Sequence, residues 1–495
     1  MNMKKLISIL VFASVCIGVN FAQTVAHYTL QDVIKIAQEQ SPDAILAKHR
    51  FRASYWAFRS FKAAYLPGLT FSGTIPDLNR GFSRQTNDKG EEIFVERKSI
   101  SNLAQLSVSQ NIGITGGSVF VNSDLQQISE IGTSGSTRYL STPVRVGFQQ
   151  PIFAYNSLKW DTKIEPIKYE EAKKTYIQAV EQVSQKAITR FFDLANAQLN
   201  VNIAKVNFNN SDTLFKIAQG RYNIGTIAEN DLLQMQLSKL NAETDLNEAE
   251  IQLEYQKTRL RSFLGYNERM DFDLTLPDSI PGLELAFQEV IDLAQKNNPD
   301  VLERQRLQIE AKRDVAKAKG QRGRNINLFA SYGLTHTEAE DIPTVYSDPF
   351  QNEQRLQVGV QIPILDWGQG KGRVKMAQSQ QELVDVQVSQ DQIDFEQNIF
   401  VQVMQFNLQD DQVKIASTAE KIAQSRYDVT KQRFLIGKID VLNLNDALKE
   451  KDSSKRAYIE SLRNYWNFFY NLRQLTLYDF MQKQALGQDF DVIVK

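Results

Sequence analysis

The chain has 495 residues, 42% of them hydrophobic, with 57 Lys and Arg against 58 Asp and Glu, a formal net charge of −1. That balance gives no reason to expect a nucleic-acid partner. No stretch after the N-terminal segment holds the run of apolar residues that a spanning helix needs, so any passage through a membrane must be made by a closed β-barrel.

Lys4 and Lys5 precede an apolar run from Leu6 to Val19, and Ala22 follows. That is the layout of a secretory signal peptide over residues 1–22, with cleavage expected near Ala22. The only cysteine, Cys16, lies inside this segment behind an imperfect lipobox, Ala13-Ser14-Val15, so a lipid anchor is the alternative reading. Cleavage near Ala22 leaves a chain without a thiol, and so without disulfides or thiolate metal sites.

Next comes Val33-Ile34-Lys35-Ile36-Ala37-Gln38, followed by Ser41-Pro42-Asp43. It recurs as Val290-Ile291-Asp292-Leu293-Ala294-Gln295 before Asn298-Pro299-Asp300, so Val33 and Val290 lie 257 residues apart. From Val146-Gly147-Phe148-Gln149 and Val358-Gly359-Val360-Gln361 onward the offset is 212, and it still relates Arg221-Tyr222-Asn223-Ile224-Gly225 to Arg433-Phe434-Leu435-Ile436-Gly437. The chain is therefore one unit written twice, and the first copy carries an insert of 45 residues, the difference between the two offsets. The first repeat is expected over 23–276, the second over 277–478, with a tail over 479–495. Repeats this long are not solenoid repeats, whose periods run about 20–50 residues.

Within each copy the strand pattern comes first. Leu69, Phe71, Gly73 and Ile75 alternate with Thr70, Ser72 and Thr74; Val144, Val146, Phe148 and Ile152 alternate with Arg145, Gly147 and Gln149. In the second copy Ile326 to Leu334 and Leu356 to Ile364 alternate the same way. One apolar and one polar face per strand fits a transmembrane barrel with a wet lumen, although a soluble sandwich alternates alike. The insert, about 80–140, adds Leu106, Val108 and Ile112, a Thr115-Gly116-Gly117 turn, then Val119, Val121 and Leu125, which read as an extra hairpin. Its strands either join the barrel or stand above it. The second copy lacks them, so the expectation is an extension beyond the membrane.

Two long tracts follow the strands. No proline lies between Pro166 and Pro277, or after Pro363, and both tracts are rich in helix formers. Ile177, Val180, Ala187, Phe191, Leu194, Val201 and Phe208 fall on a three-and-four spacing, with Ser184, Gln198 and Lys205 as polar interruptions. These interruptions suggest a wet interior. A helix of about 50 residues is roughly 75 Å long, which suits a rod or tube wall. Gly225 and Gly437 mark turns between antiparallel helices, and Gly265 ends the second helix of the first copy.

Two copies of helix, strands and long helix pair, behind a signal peptide, resemble the TolC-like outer-membrane efflux protein family over nearly the whole mature chain. The most specific motifs are Val358-Gly359-Val360-Gln361-Ile362-Pro363-Ile364-Leu365-Asp366-Trp367-Gly368, similar to that family's strand-into-helix junction, and the two Arg-aromatic turns ending at Gly225 and Gly437. The resemblance implies a mainly α fold with β and a homotrimer. Each protomer would give four strands to a shared twelve-stranded outer-membrane barrel and its long helices to a periplasmic α-barrel. The hairpin tips, with Arg221, Tyr222, Gly225, Arg433, Phe434 and Gly437, would dock a periplasmic adaptor linked to an inner-membrane pump. The chain would then be the passive exit duct of a tripartite efflux pump or type I secretion system. In that family an acidic residue, a tyrosine and an arginine latch the tunnel, and two aspartate rings line it. Asp231 falls at the acidic position, Phe434 replaces the tyrosine, Ile439 the arginine and Asn443 one ring aspartate, while Asp446 keeps the other. Phenylalanine and isoleucine cannot make that hydrogen-bonded latch, so closure would rest on packing of Phe434, Ile439 and Leu442. Ordinary coiled-coil seam packing is the alternative at these positions.

Little in the chain points to catalysis. His27, His49 and His336 are scattered and have no metal-ligand spacing; neither an enzyme nor a resident cofactor is expected. Gly368, Gly370 and Gly372 mimic a phosphate loop but read better as a bend out of a strand. The aromatic run Tyr465 to Tyr470 reads as helix packing rather than a membrane belt. A secreted coiled-coil structural protein and a periplasmic adaptor are the competing readings; the first needs no strands of barrel length and the second has usually one hairpin.

Overall fold

The computed structural model describes residues 26–494 apart from 132–134, 267–271, 278–279, 340–341, 343, 348, 437 and 440. The expected signal segment, Cys16 and Gly437 lie outside the described residues. The first copy runs β1 (Ala26–Thr29), α1 (Leu30–Gln40), α2 (Pro42–Ala63), β2 (Gly68–Thr86), β3 (Glu92–Ile112), β4 (Gly117–Glu130), β5 (Thr137–Ile152), α3 (Ser157–Asn223), α4 (Glu229–Leu264) and β6 (Phe272–Thr275). The second runs α5 (Phe287–Asn297), α6 (Pro299–Arg322), β7 (Asn325–Ala339), β8 (Gln351–Gln361), α7 (Gln369–Leu435) and α8 (Val441–Thr476). Two short strands, β9 (Tyr478–Asp479) and β10 (Gln484–Ala485), and a last helix, α9 (Phe490–Val494), close the chain.

The fold is mainly α with β, built from a duplicated helix–strand–helix unit. Helices α1 and α5 are 11 residues each and bury the same positions: Val33, Ile34 and Ala37 in one, Val290, Ile291 and Ala294 in the other. Thr29 starts α1 by accepting the Asp32 N–H at 3.3 Å, while the Asp32 carboxylate accepts the Thr29 N–H at 3.0 Å. Pro42 and Pro299 open α2 and α6, where a missing N–H costs nothing. Helix α3 begins before Pro166 and carries it in its interior, so the helical tract is longer than proline placement indicates.

Two compact units divide the chain, and each draws on both copies. Among the described residues, the first comprises 26–50, 176–298 and 396–488. Its core is built from Phe191, Phe192 and Leu194 of α3, Leu260 of α4, Phe406 of α7 and Tyr465 of α8, all fully buried; burying each such side chain contributes about 1.5–3 kcal/mol. The aromatic run on α8 packs here, with Tyr465, Trp466, Phe469 and Tyr470 buried and Tyr465 against Phe406 at 5.4 Å. The polar seam residues are inside as well. Ser184 is fully buried, accepts from the Gln38 amide at 2.7 Å and donates to the Val180 carbonyl at 3.1 Å. The Gln198 amide donates to the Phe272 carbonyl at 2.9 Å. Ser184 and Gln198, two of the three polar interruptions, are thus satisfied within the packing of the unit, as buried polar groups must be, while Lys205 is exposed. A buried ion network completes it, with Arg473 donating to Glu181 at 3.0 and 3.2 Å and to Asp479 at 2.5 Å.

Among the described residues, the second unit comprises 51–175, 299–395 and 489–494. Arg306 of α6 makes a bidentate pair with Glu171 of α3 at 2.6 and 3.0 Å. Tyr169 stacks on Phe58 at 4.5 Å, and α9 returns to place Phe490 5.1 Å from Phe51. The dominant element is one six-stranded antiparallel sheet in the order β2-β3-β4-β5-β7-β8.

Two expectations change here. The inserted hairpin, β3 and β4, does not stand beyond the other strands; it lies between β2 and β5 and pairs with both. What overhangs is the outer end of the first hairpin, Arg80 to Thr86 against Glu92 to Lys98, past the last β3–β4 pair at Ser99. In addition, β8 ends at Gln361, so Ile362 and Ile364 are not strand residues. Pro363 has no N–H to continue the ladder.

Candidate functional site

The sheet sorts its side chains by face. Paired residues share a face, and one such row reads Leu69, Val108, Val121, Val146 and Tyr332 across five strands. A second reads Val119, Phe148, Ala330 and Leu356. Most of these side chains are exposed, Leu69 at 67% and Leu356 at 75%. A large exposed apolar face is what water-soluble domains avoid. The opposite face is polar and tied together. The Ser107 hydroxyl donates to the Asn122 side-chain oxygen at 2.6 Å, and Arg145 bridges Asp124 at 3.2 Å and Glu353 at 2.7 Å.

One feature of the polar face escaped the alternation pattern. Phe120 and Phe329 stack there at 5.8 Å, flanking Gly147. A Cβ on Gly147 would stand 2.5 Å from the Phe120 ring, so only glycine admits that pair. The signal available in sequence was a glycine on the polar side of a strand opposite an aromatic residue.

At the far ends of the long helices the two turns are built alike. The Thr226 N–H bonds the Arg221 carbonyl at 2.9 Å, and the Lys438 N–H, 212 residues on, bonds the Arg433 carbonyl at 3.0 Å. Each is a six-to-one closure of a helix C-terminus, with Gly225 at φ 74° supplying the left-handed turn. Tyr222 and Arg433 are exposed, on the outside of the tips.

Between the two turns lies a cleft of about 330 Å³. Arg221, Asp231 and Met235 line it from the first copy, Phe434, Ile439 and Leu442 from the second. The sequence-selected Asp231, Phe434 and Ile439 are thus brought together, while Asn443 and Asp446 stand on α8 outside the lining. Among the described residues no ion pair reaches Asp231. Phe434 packs with Leu214 and Leu448 against the buried cluster of Tyr427, Leu444 and Ala447. The cleft has one wall of apolar packing and an acid and a guanidinium at its mouth. That arrangement can hold two hairpins together but offers no nucleophile and base in contact.

The glycine-rich junction before α7 is occupied by its own chain. The Asp366 carboxylate accepts from the Gly368 N–H at 3.0 Å and the Gly370 N–H at 2.8 Å. These two hydrogen bonds hold its pKa below the ordinary aspartate range. The amides a phosphate would use are filled, so the junction is a capped bend. In the first copy Asn156 does the same work, accepting from the Lys159 N–H at 3.1 Å and donating to the Gly113 carbonyl at 3.0 Å. Among the described residues no group of His, Cys, Asp and Glu is placed to hold a metal ion, and no helix is long and apolar enough to cross a membrane.

Comparison with known proteins accords with this geometry. The sequence profile of the outer membrane efflux protein family matches residues 33–266 and again 290–476. Among solved structures, the CmeC outer membrane channel of Campylobacter jejuni superposes with a TM-score of 0.67 at 14% identity, covering 94% of this chain and 89% of that one. The outer membrane protein VceC of Vibrio cholerae gives 0.61 at 13% identity, covering 92% and 97%. A membrane protein from Pseudomonas aeruginosa gives 0.60 at 13% identity, covering 90% of each. Compared by sequence, no curated protein matches the chain.

Proposed function

We propose that this chain, which belongs to the outer membrane efflux protein family, is the exit duct of a tripartite efflux pump or type I secretion system, passively conducting substrates from an inner-membrane pump and a periplasmic adaptor to the outside. Three copies assemble, their sheets closing one barrel in the outer membrane and their long helices forming a periplasmic tunnel. The family is one of channels, not of enzymes.

The observation that carries this reading is the inverted sheet: apolar rows exposed on one face, hydrogen-bonded polar rows on the other. Lipid is the missing solvent for the first face and water for the second. The sheet cannot close alone, since single-chain barrels start at about eight strands. Its open edges call for further copies. The paired tips support adaptor docking, because Arg221, Tyr222 and Arg433 are exposed there. A secreted coiled-coil stalk would have no use for the inverted sheet, and an adaptor would need neither the sheet nor two matched hairpins.

Membrane fractionation tests the proposal, followed by crosslinking and affinity purification of the tagged protein. The expected result is heat-modifiable recovery from the outer membrane, together with an adaptor and an inner-membrane pump. Recovery of a soluble, monomeric rod from the culture fluid would contradict it.

A further inference from the structure

The sheet carries six strands per chain, not four, and all six stand at one level. Row by row, β3 pairs with β2 on one side and β4 on the other, and β4 pairs with β3 and β5, over rows that continue through β5 into β7 and β8. A barrel of four strands per copy would require β2 to meet β5 directly. Instead two strands separate them, a gap of roughly 14 Å at the usual spacing of about 4.8 Å per strand.

The inserted strands also carry both solvents' signatures. Leu106 and Val108 on β3 and Val119 and Val121 on β4 are exposed at 45%, 37%, 41% and 42%. They sit on the same face as Leu69 and Val146. On the other face Ser107, Asn122 and Asp124 join the polar rows through the bonds to one another and to Arg145. A hairpin projecting into water would need no apolar band in register with its neighbours.

The edges fix the partner. Among the described strands, β2 and β8 each pair on one side only. Six antiparallel strands are an even number, so β2 and β8 run in opposite directions. The β8 edge of one copy can therefore pair antiparallel with the β2 edge of the next, and no parallel junction arises on closure. We infer that the occupant of each free edge is a neighbouring copy of this chain, and that three copies close an 18-stranded barrel, six strands from each. This rests on the reading above that three copies form an outer-membrane duct. Barrel diameter grows nearly linearly with strand number, so the lumen is about 1.5 times as wide as that of a twelve-stranded barrel.

Single cysteines at Val108, Val121 and, as reference, Val358 on β8 test the inference; Cys16 is the only native thiol. Each variant is labelled with an environment-sensitive fluorophore, reconstituted in vesicles containing nitroxide-bearing lipids, and weighed by native mass spectrometry. Val108→Cys and Val121→Cys are expected to be quenched as strongly as Val358→Cys, with Ser107→Cys shielded, in a particle of three chains. Quenching at Val358→Cys alone would overturn the 18-stranded barrel and leave the duct intact. Quenching at none of the lipid-face sites would overturn the duct reading itself. A particle with a copy number other than three would overturn the strand count.

Discussion

Helices α3 and α4 of the first copy have 67 and 36 residues, and α7 and α8 of the second have the same numbers, yet the first copy supplies four strands to the sheet and the second two. The two turns at the helix ends close through equivalent hydrogen bonds, yet Tyr222 faces solvent in one while its counterpart Phe434 packs inward in the other. The contrast teaches which features a duplicated wall must keep. In the proposed trimer, helices that share one ring have to match in length. A sheet accepts an added hairpin, because two more strands preserve the up-down alternation. Polar residues at the tips are free to diverge once packing has taken over the contact between them.

The largest expected effect lies where the copies are joined. Arg473, at the end of the second copy, is buried against Glu181 of the first. Its counterpart partner position, 212 residues after Glu181, is Ile393, which cannot pair. Arg473→Ala leaves Glu181 buried and alone, and burial alone already pushes that carboxyl up. The expected loss is about 3–5 kcal/mol, read by denaturant unfolding of the helical signal. A loss below about 1 kcal/mol would mean the pair does not couple the copies.

The tips come next. Phe434→Ala is expected to cost about 2 kcal/mol, less than a fully buried Phe because this ring is only partly covered. It is also expected to raise single-channel conductance, whereas Tyr222→Ala, exposed, changes neither. Equal effects from both would erase the asymmetry between the hairpins. Asp231→Ala is expected to leave conductance nearly unchanged, since no ion pair holds it among the described residues; a large increase would reveal a latch made with other residues. In the proposed trimer three Asp446 carboxylates would ring one axis, so Asp446→Ala is expected to lower cation selectivity and block by multivalent cations. Unchanged selectivity would remove the ring.

The smallest effect concerns the strand-to-helix junctions. Asp366→Ala is expected to weaken the junction slightly through loss of the cap on the Gly368 and Gly370 amides. Because the folded carboxyl titrates below its usual 3.8, its contribution is present above that pH and lost as pH falls through the folded value. Asn156, capping the first copy, does not titrate, so only the second junction should weaken in acid. Cap-site amide exchange at Gly370 and Lys159 reads the difference.

Much of the fold is legible in the sequence. Val33 and Val290, or Arg221 and Arg433, announce the duplication because helices that pack alike keep their apolar and turn residues. Strand alternation at Leu69 and Val146 was equally plain. The place of the inserted hairpin was not, because Val108 and Val121 alternate identically whether a strand is inserted in a sheet or stacked beyond it; only register decides. Ser184 misled for a related reason. A polar residue on an apolar stripe looks wet until a partner, here Gln38 at a separation of 146 residues, is found. At the tip, substitution logic picked out Asp231, Phe434 and Ile439, which do share a cleft, but it could not supply Leu214 and Tyr427 as the surface that receives Phe434.

Open six-stranded sheets can become a channel only by sharing edges. Single-channel recording of the purified full-length protein, on particles whose mass has been measured, tests it most directly. Every conducting particle is expected to contain three chains, and monomers are expected to be silent. A verified monomer that conducts would contradict it.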